Sequence, residues 1–310
     1  MKKTHLLLIL SLIFLVSSCA TNISVRVQRP AELDLSYAET IAVISTTPKL
    51  DFWDYFFYDA EFEGYEISEK LVSLLESRII TSNYFTLVDS NQAKNAVANG
   101  RKPSSDVYIT LNINELNTEI KTYEVKKDDI ITLEYYRILD FNLTYQIVDS
   151  KTSVILKKAH ESFSCESDKV DNEKDVQTAK YLAENELSSF VSKFMRQITP
   201  YTEQKTLTLL KDKTKNPQME YADNLTKDGR LALAYKEFLE IYNSTGMFEA
   251  GYNAAIILVA QEKYEEASEL MSDVYRTSGN IKAREALKEI QFEIQSRDKL
   301  QKQTETRENI

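Results

Sequence analysis

The 310-residue chain is poor in glycine, with only six, and in histidine and cysteine, with two of each. So few glycines leave nothing from which to build a glycine-rich phosphate cradle, and neither a Gly-x-Ser-x-Gly elbow nor a Gly-x-x-x-x-Gly-Lys loop occurs. Cys-x-x-Cys is absent, and one histidine, His5, lies in the first few residues. Basic charge is also short. Lys and Arg number 38 against 48 Asp and Glu, a net charge of −10, the wrong sign for a surface that grips nucleic acid. No apolar run reaches the ~20 residues a membrane-spanning helix needs.

The longest apolar run, Leu6 to Val16, follows Lys2 and Lys3 and ends in Val16-Ser17-Ser18-Cys19. At about 11 residues it has the length of a signal-peptide core. A branched apolar residue, two small residues and a cysteine resemble the lipobox of bacterial lipoprotein signal peptides. That resemblance implies removal of residues 1–18 and acylation of Cys19. Acyl chains contribute about 0.8 kcal/mol per buried CH₂, so a multiply acylated cysteine is a firm membrane anchor. Ala20 resembles the residue that directs such proteins to the outer membrane, facing the periplasm. Loss of the leader removes Lys2, Lys3 and no acid, taking the net charge from −10 to −12. Acylation of Cys19 leaves Cys165 alone, without an internal disulfide partner, and loss of His5 with the leader leaves His160 as the only histidine, so no two-histidine metal site can form. His160 and Cys165 stand on or beside one expected strand and point to opposite faces. No catalytic residue, metal ligand or cofactor site is expected.

Residues 19–36 read as a tether. Residues 37–200 read as an α+β domain with helices on one face of a mixed sheet. Glu39 to Ser45 is a buried strand by its apolar, β-branched run. Asp51 to Tyr65 packs Trp53, Phe56, Phe57 and other aromatics among acids. It suits either a contact loop or a cover over the sheet. Ile67, Leu71, Leu74, Leu75 and Ile79 mark an amphipathic helix from Glu66 to Ser82, and Tyr84 to Asp89 a strand. A short helix follows near Asn91 to Asn99. Val107, Ile109, Leu111 and Ile113 alternate on a strand whose phase slips at Glu115-Leu116, the sign of a bulge. The alternation from Ile131 to Ile147 predicts a long hairpin partner, interrupted by Arg137 on its apolar face. Ser153 to Phe163 is the next strand, and Ala179 to Ile198 a second amphipathic helix ended by Pro200.

A helix followed by Thr81-Ser82-Asn83-Tyr84-Phe85-Thr86-Leu87-Val88-Asp89, then Ser105-Asp106-Val107-Tyr108-Ile109-Thr110-Leu111, resembles the domain of curli-secretion-channel (CsgG-like) lipoproteins, LpoB and the TolB N-terminal region. A glycine is usual at the turn, where Ser82-Asn83 stands. In the curli channel, hairpins extend from such a domain into an oligomeric barrel, and that resemblance implies a secretion or transport channel component as the alternative function.

Residues 201–217 read as a linker, whose apolar patch Leu207-Thr208-Leu209-Leu210 leaves room for a short edge strand. Beyond it Ala222, Leu225, Gly229, Leu231, Ala234, Phe238 and Ile241 match Ala255, Leu258, Glu262, Tyr264, Ala267, Met271 and Val274 at an offset of 33 residues. Residues 218–299 thereby resemble tetratricopeptide (TPR) repeats closed by a capping helix. Ala222, Ala234, Ala255 and Ala267 would let helices approach, and Phe238 and Tyr264 would fill between repeats. Residues 300–310 are polar and read as a flexible tail. The expected function is a non-enzymatic scaffold. It is held at the envelope by Cys19 and binds an envelope protein or peptide, with an oligomer possible.

Overall fold

A computed structural model describes residues 21–48, 59–127 and 130–309. Cys19 and the aromatic stretch with Trp53, Phe56 and Phe57 lie outside the described residues. The chain divides into two compact units, each discontinuous in sequence. One combines residues up to Pro30 with Pro200–Lys302, and the other combines Ala31–Thr199 with Gln303–Ile310.

The second of these is α+β. Its five-stranded mixed sheet has the order β3-β2-β4-β5-β6, with β2 at Thr40–Ser45, β3 at Thr86–Leu87, β4 at Val107–Lys127, β5 at Ile130–Asp149 and β6 at Ile155–Glu166. β2 lies parallel to both neighbours, and β4, β5 and β6 run antiparallel. Helix α1 (Asp59–Ser82) buries Ile67, Leu71, Leu75 and Ile79 of the expected stripe completely and Leu74 in part. After a short helix α2 (Ser90–Ala98), helix α3 (Ala179–Ile198) buries Ala183, Leu187, Phe190, Phe194 and Ile198. Helix α3 starts where the Thr178 hydroxyl accepts from Tyr181 N–H. It stops at Thr199, whose extended backbone is what a following proline imposes. α1 and α3 share one core with Ile41, Val43 and Leu139, Phe141, Leu143, Tyr145 and Ile147 of β5.

The expectation of helices on one face is corrected by α2. Its Ala93 packs with Ala42 and Ile44, the opposite face of β2. β2 is therefore covered on both sides, which is why its run is apolar without alternation. Asn83 takes φ +53, so the turn before β3 forms without glycine. The bulge falls between Asn114 and Asn117, with Glu115 at φ +52. It moves even-numbered residues of β4 onto the core face. Beyond it the hairpin outruns the core, and Tyr123, Ile130, Ile131 and Leu133 are exposed. Arg137 marks the boundary. It donates to Thr118 Oγ1 (2.7 Å) and the Gln177 carbonyl (2.9 Å), and pairs with Glu63 (3.3 Å). An arginine within an apolar alternation is thus neutralised at the edge of the core rather than exposed to lipid.

Among the described residues the other unit is five helices and a ribbon. Residues expected as tether form strand β1 (Asn22–Arg29), and residues expected as linker form β7 (Tyr201–Thr208). The two pair antiparallel along their full length. Ile23, Val25 and Val27 alternate with Asn22, Ser24, Arg26 and Gln28, so one side of the ribbon is apolar and the other wet. Helices α4 (Pro217–Lys227), α5 (Leu231–Thr245), α6 (Phe248–Ala260) and α7 (Tyr264–Ser278) follow. The 33-residue offset recurs in backbone geometry. Gly229 and Glu262 both take positive φ (72° and 60°), and Gly246 and Gly279 both end helices in the left-handed conformation. Helix α8 (Ile281–Glu308) continues through the residues expected as a flexible tail. Gln303 is buried, its amide bonding Ala31 N–H (2.9 Å) and the Ala31 carbonyl (3.1 Å). No helix among the described residues is long and apolar enough to cross a membrane.

Candidate binding groove

The first helices of the successive pairs, α4 and α6, meet the apolar side of the ribbon. Ile23, Val25, Leu207 and Leu209 join one core with Met219, Ala254, Ile257 and Leu258. Helix α6 is apolar nearly all round, as a helix enclosed by neighbours must be. Asn253, 1% exposed, clamps the chain just after β7. Its Oδ1 accepts from Leu210 N–H (2.7 Å) and its Nδ2 donates to the Leu210 carbonyl (2.8 Å). The face expected to be an open groove for a peptide thus already carries an extended strand of the same chain.

Beside that strand a groove remains open, with a cavity of about 270 Å³. Tyr252, Ile256 and Val259 of α6 and Ala286 and Ile290 of α8 line it, with Leu207 of β7. Lys205, Lys282, Glu285 and Glu289 stand at its rim. Burial, with the Glu289 and Glu285 carboxylates adding to it, raises the Tyr252 phenol above its usual value and keeps it a neutral donor.

One end of the groove is locked by charge. Arg29 is inside the protein and meets Glu293, whose side chain is 2% exposed, in a two-point pair of 2.6 and 3.0 Å. Arg29 also pairs with Glu203 (2.7 Å) and lies over the Phe292 ring. Lys205 supplies a second cation to Glu293 at 2.9 Å. Burial pushes the Glu293 carboxyl up, but the hydrogen bonds from Arg29 and Lys205 outweigh it and hold it below the usual carboxylate range. This set joins β1, β7 and α8 and fixes the groove's floor.

Ala222, Ala234, Phe238, Ala255, Tyr264 and Ala267 are all buried between helices. They build the scaffold, and none of them lines the groove. The groove residues were missed because their neighbour β7 was read as linker; the alternation Lys205-Thr206-Leu207-Thr208-Leu209 was the available signal. His160 bonds Thr144 (3.1 Å), and Cys165 is half-buried across the core edge. Burial, with Glu186 and Asp140, pushes that thiol up to about 11, so it is a poor nucleophile. Among the described residues no cluster of three or more His, Cys, Asp or Glu could hold a metal ion.

The architecture defines a two-unit protein, an α+β sheet unit and a helical-hairpin unit roofed by a β-ribbon. No protein-family model matches the chain, and no curated protein matches it. Among solved structures it is similar to a minor lipoprotein of Acinetobacter baumannii, at 11% identity over 51% of this chain and 91% of that one, TM-score 0.28. It is also similar to a PelC dodecamer subunit of Paraburkholderia phytofirmans, at 11% identity over 57% of this chain and 98% of that one, TM-score 0.28. Rare lipoprotein B of Shewanella oneidensis overlaps at 16% identity over 51% of this chain and 85% of that one, TM-score 0.19. At that level no functional property transfers, and function rests on the chain's own residues.

Proposed function

We propose that the protein is a lipid-anchored envelope scaffold that binds a protein or peptide partner through its TPR-like helical unit, without catalysing a reaction. The observation that carries this reading is the groove beside β7, with its apolar floor of Tyr252, Ile256, Val259 and Ile290 and its charged rim. An apolar side chain with polar flanks suits it, since Lys205, Lys282, Glu285 and Glu289 border the opening with charge of both signs. The lipobox ending in Cys19 supports the anchor, and the outer membrane, facing the periplasm, is its proposed place. The reading is tested with a photo-crosslinking residue at Lys282, on the groove, and at Lys236, on the exposed side of α5. One partner should form an adduct at Lys282 and not at Lys236, and Cys19→Ala should move protein and adduct out of the membrane fraction. Equal adducts at both positions would overturn the groove, and a Cys19→Ala protein that still sediments after alkaline washing would overturn the anchor.

A second reading, an oligomeric secretion or transport channel component related to CsgG-like proteins, draws on the bare distal hairpin. The structure narrows it. From Ile130 to Tyr136, before the paired Arg137, there are seven residues, against the ~9–11 a membrane-spanning strand needs.

A further inference from the structure

The groove beside β7 touches that strand at Lys205, Leu207 and Thr208 and its continuation at Leu210 and, among the described residues, no part of β1. It opens on the edge of β7 that β1 leaves free, since the ribbon has only these two strands among the described residues.

The ladder fixes which backbone groups lie on that edge. In an antiparallel pair, residues whose N–H and C=O face the partner alternate with residues whose groups face away. Leu209 N–H donates to the Thr21 carbonyl (2.9 Å), one step beyond the pair Asn22 and Thr208. The odd-numbered residues of β7 thus bond β1, and Thr206 and Thr208 turn their backbone N–H and C=O to the free edge. Leu210 continues that phase, and both its backbone groups are taken by the Asn253 side-chain amide. A C=O and an N–H presented together to one residue is what a neighbouring strand offers. Among the described residues no such partner reaches the outward backbone groups of Thr206 or Thr208.

The side chains are in matching phase. Leu207 and Leu209 are buried against the helices, while Thr206 and Thr208 are exposed. A strand laid against β7 would place every second side chain on the floor of Tyr252, Ile256, Val259, Ala286 and Ile290. At ~3.3 Å per residue, Lys205 to Leu210 offers about 16 Å of edge, room for two or three inward side chains. A ligand with apolar side chains alone would seal the edge groups from water unpaired, which is costly, whereas an extended main chain bonds them.

We propose that the groove takes an extended segment of a partner protein. The segment adds to β7 as a third strand, bonded through Thr206 and Thr208, with apolar side chains at alternate positions. This rests on the groove as the binding site, and the test separates the two.

Full-length protein is screened against synthetic peptides with Val, Ile, Leu or Phe at alternate positions and Thr, Ser or Lys between them. Retained peptides are then N-methylated on one or the other set of alternate backbone nitrogens. One set should weaken binding several-fold, and the other should leave it unchanged. Thr208→Pro removes a groove-facing N–H without touching the bonds to β1, as proline on an edge strand does. It should abolish binding, as should Ala286→Glu, which puts charge on the floor. The methylation series uses the wild-type protein, so it decides even where a variant melts early. Failure to retain any peptide, or equal effects of the two methylated sets, would overturn strand addition. Binding kept by Thr208→Pro and lost by Ala286→Glu would overturn strand addition and leave the groove standing. Binding kept by both variants would overturn the groove itself.

Discussion

Glu293 carries an unusual burden for one side chain. It is enclosed, yet it receives Arg29 in two bonds and Lys205 in a third. Its folded carboxyl titrates below the ordinary 4.5, so the unfolded chain takes up the proton more readily than the folded one. Its stabilising contribution is therefore complete above that ordinary value and is lost as pH falls through the depressed folded value. Removing one partner of a buried pair costs roughly 3–5 kcal/mol. Glu293→Gln should accordingly lower the melting temperature of the helical unit at neutral pH. The gap to wild type should close as pH falls below about 4.5, in the range where carboxylates protonate. Thermal denaturation from neutral to acid pH checks this, and a gap that stays constant would sink it. The role of Glu293 was not legible in the sequence, because its partners Arg29 and Lys205 lie 264 and 88 residues away. The backbone of Glu262 was more accessible. It occupies the place of Gly229 one repeat earlier, and the structure gives it the left-handed conformation that glycine takes there.

Elements with their own pattern were readable, and elements that depend on distant partners were not. Helix α3 starts and stops where its apolar stripe and Pro200 put it. The bulge in β4 showed as a slip of phase at Leu116. β1 and β7 each alternate, but β1 waits for a partner about 180 residues further on, and an isolated two-stranded ribbon has no stability to advertise. The last turns of α8 have no apolar stripe, and are held by Gln303 and Arg307 instead. The long hairpin divides at Arg137. Below it Leu139, Phe141, Leu143 and Tyr145 are at most 1% exposed, and above it the pairing stands outside the core. Excising residues 121–135 and closing the gap with a short turn should leave the α+β unit folded, with a melting temperature changed by a few degrees at most. Amides of the distal pairing should exchange with solvent well ahead of those paired between Val107 and Ile113 in the intact protein. Equal protection along the hairpin, or collapse of the unit on excision, would show that the protrusion is part of the core.

At the scale of the whole molecule, a division at Pro200 is not a division between independent parts. β1 precedes the α+β segment in sequence and is counted with the helices that follow it. The end of α8 follows those helices and is counted with the α+β segment. There Gln303 bonds both backbone groups of Ala31, while Arg307 donates to the carbonyls of Ala38 and Tyr84 and lies over the Tyr84 and Phe85 rings. A chain cut near Pro200 would strip β1 of its partner β7 and the α+β unit of these hydrogen bonds. Loss of binding in such a truncation would report unfolding as readily as a missing groove. The shorter deletion is more informative. Ending the chain after Lys302 removes the Gln303 and Arg307 bonds described above, each of about 1 kcal/mol. Melting temperatures of units this size shift by about 2–4 °C per kcal/mol. The α+β unit should therefore melt roughly 8–16 °C lower, with β2 and β3 amides exchanging faster, while Lys205, Tyr252 and the groove residues keep their wild-type protection. An α+β unit that melts within a degree of wild type after this deletion would make the C-terminal turns the dispensable tail that their composition suggests.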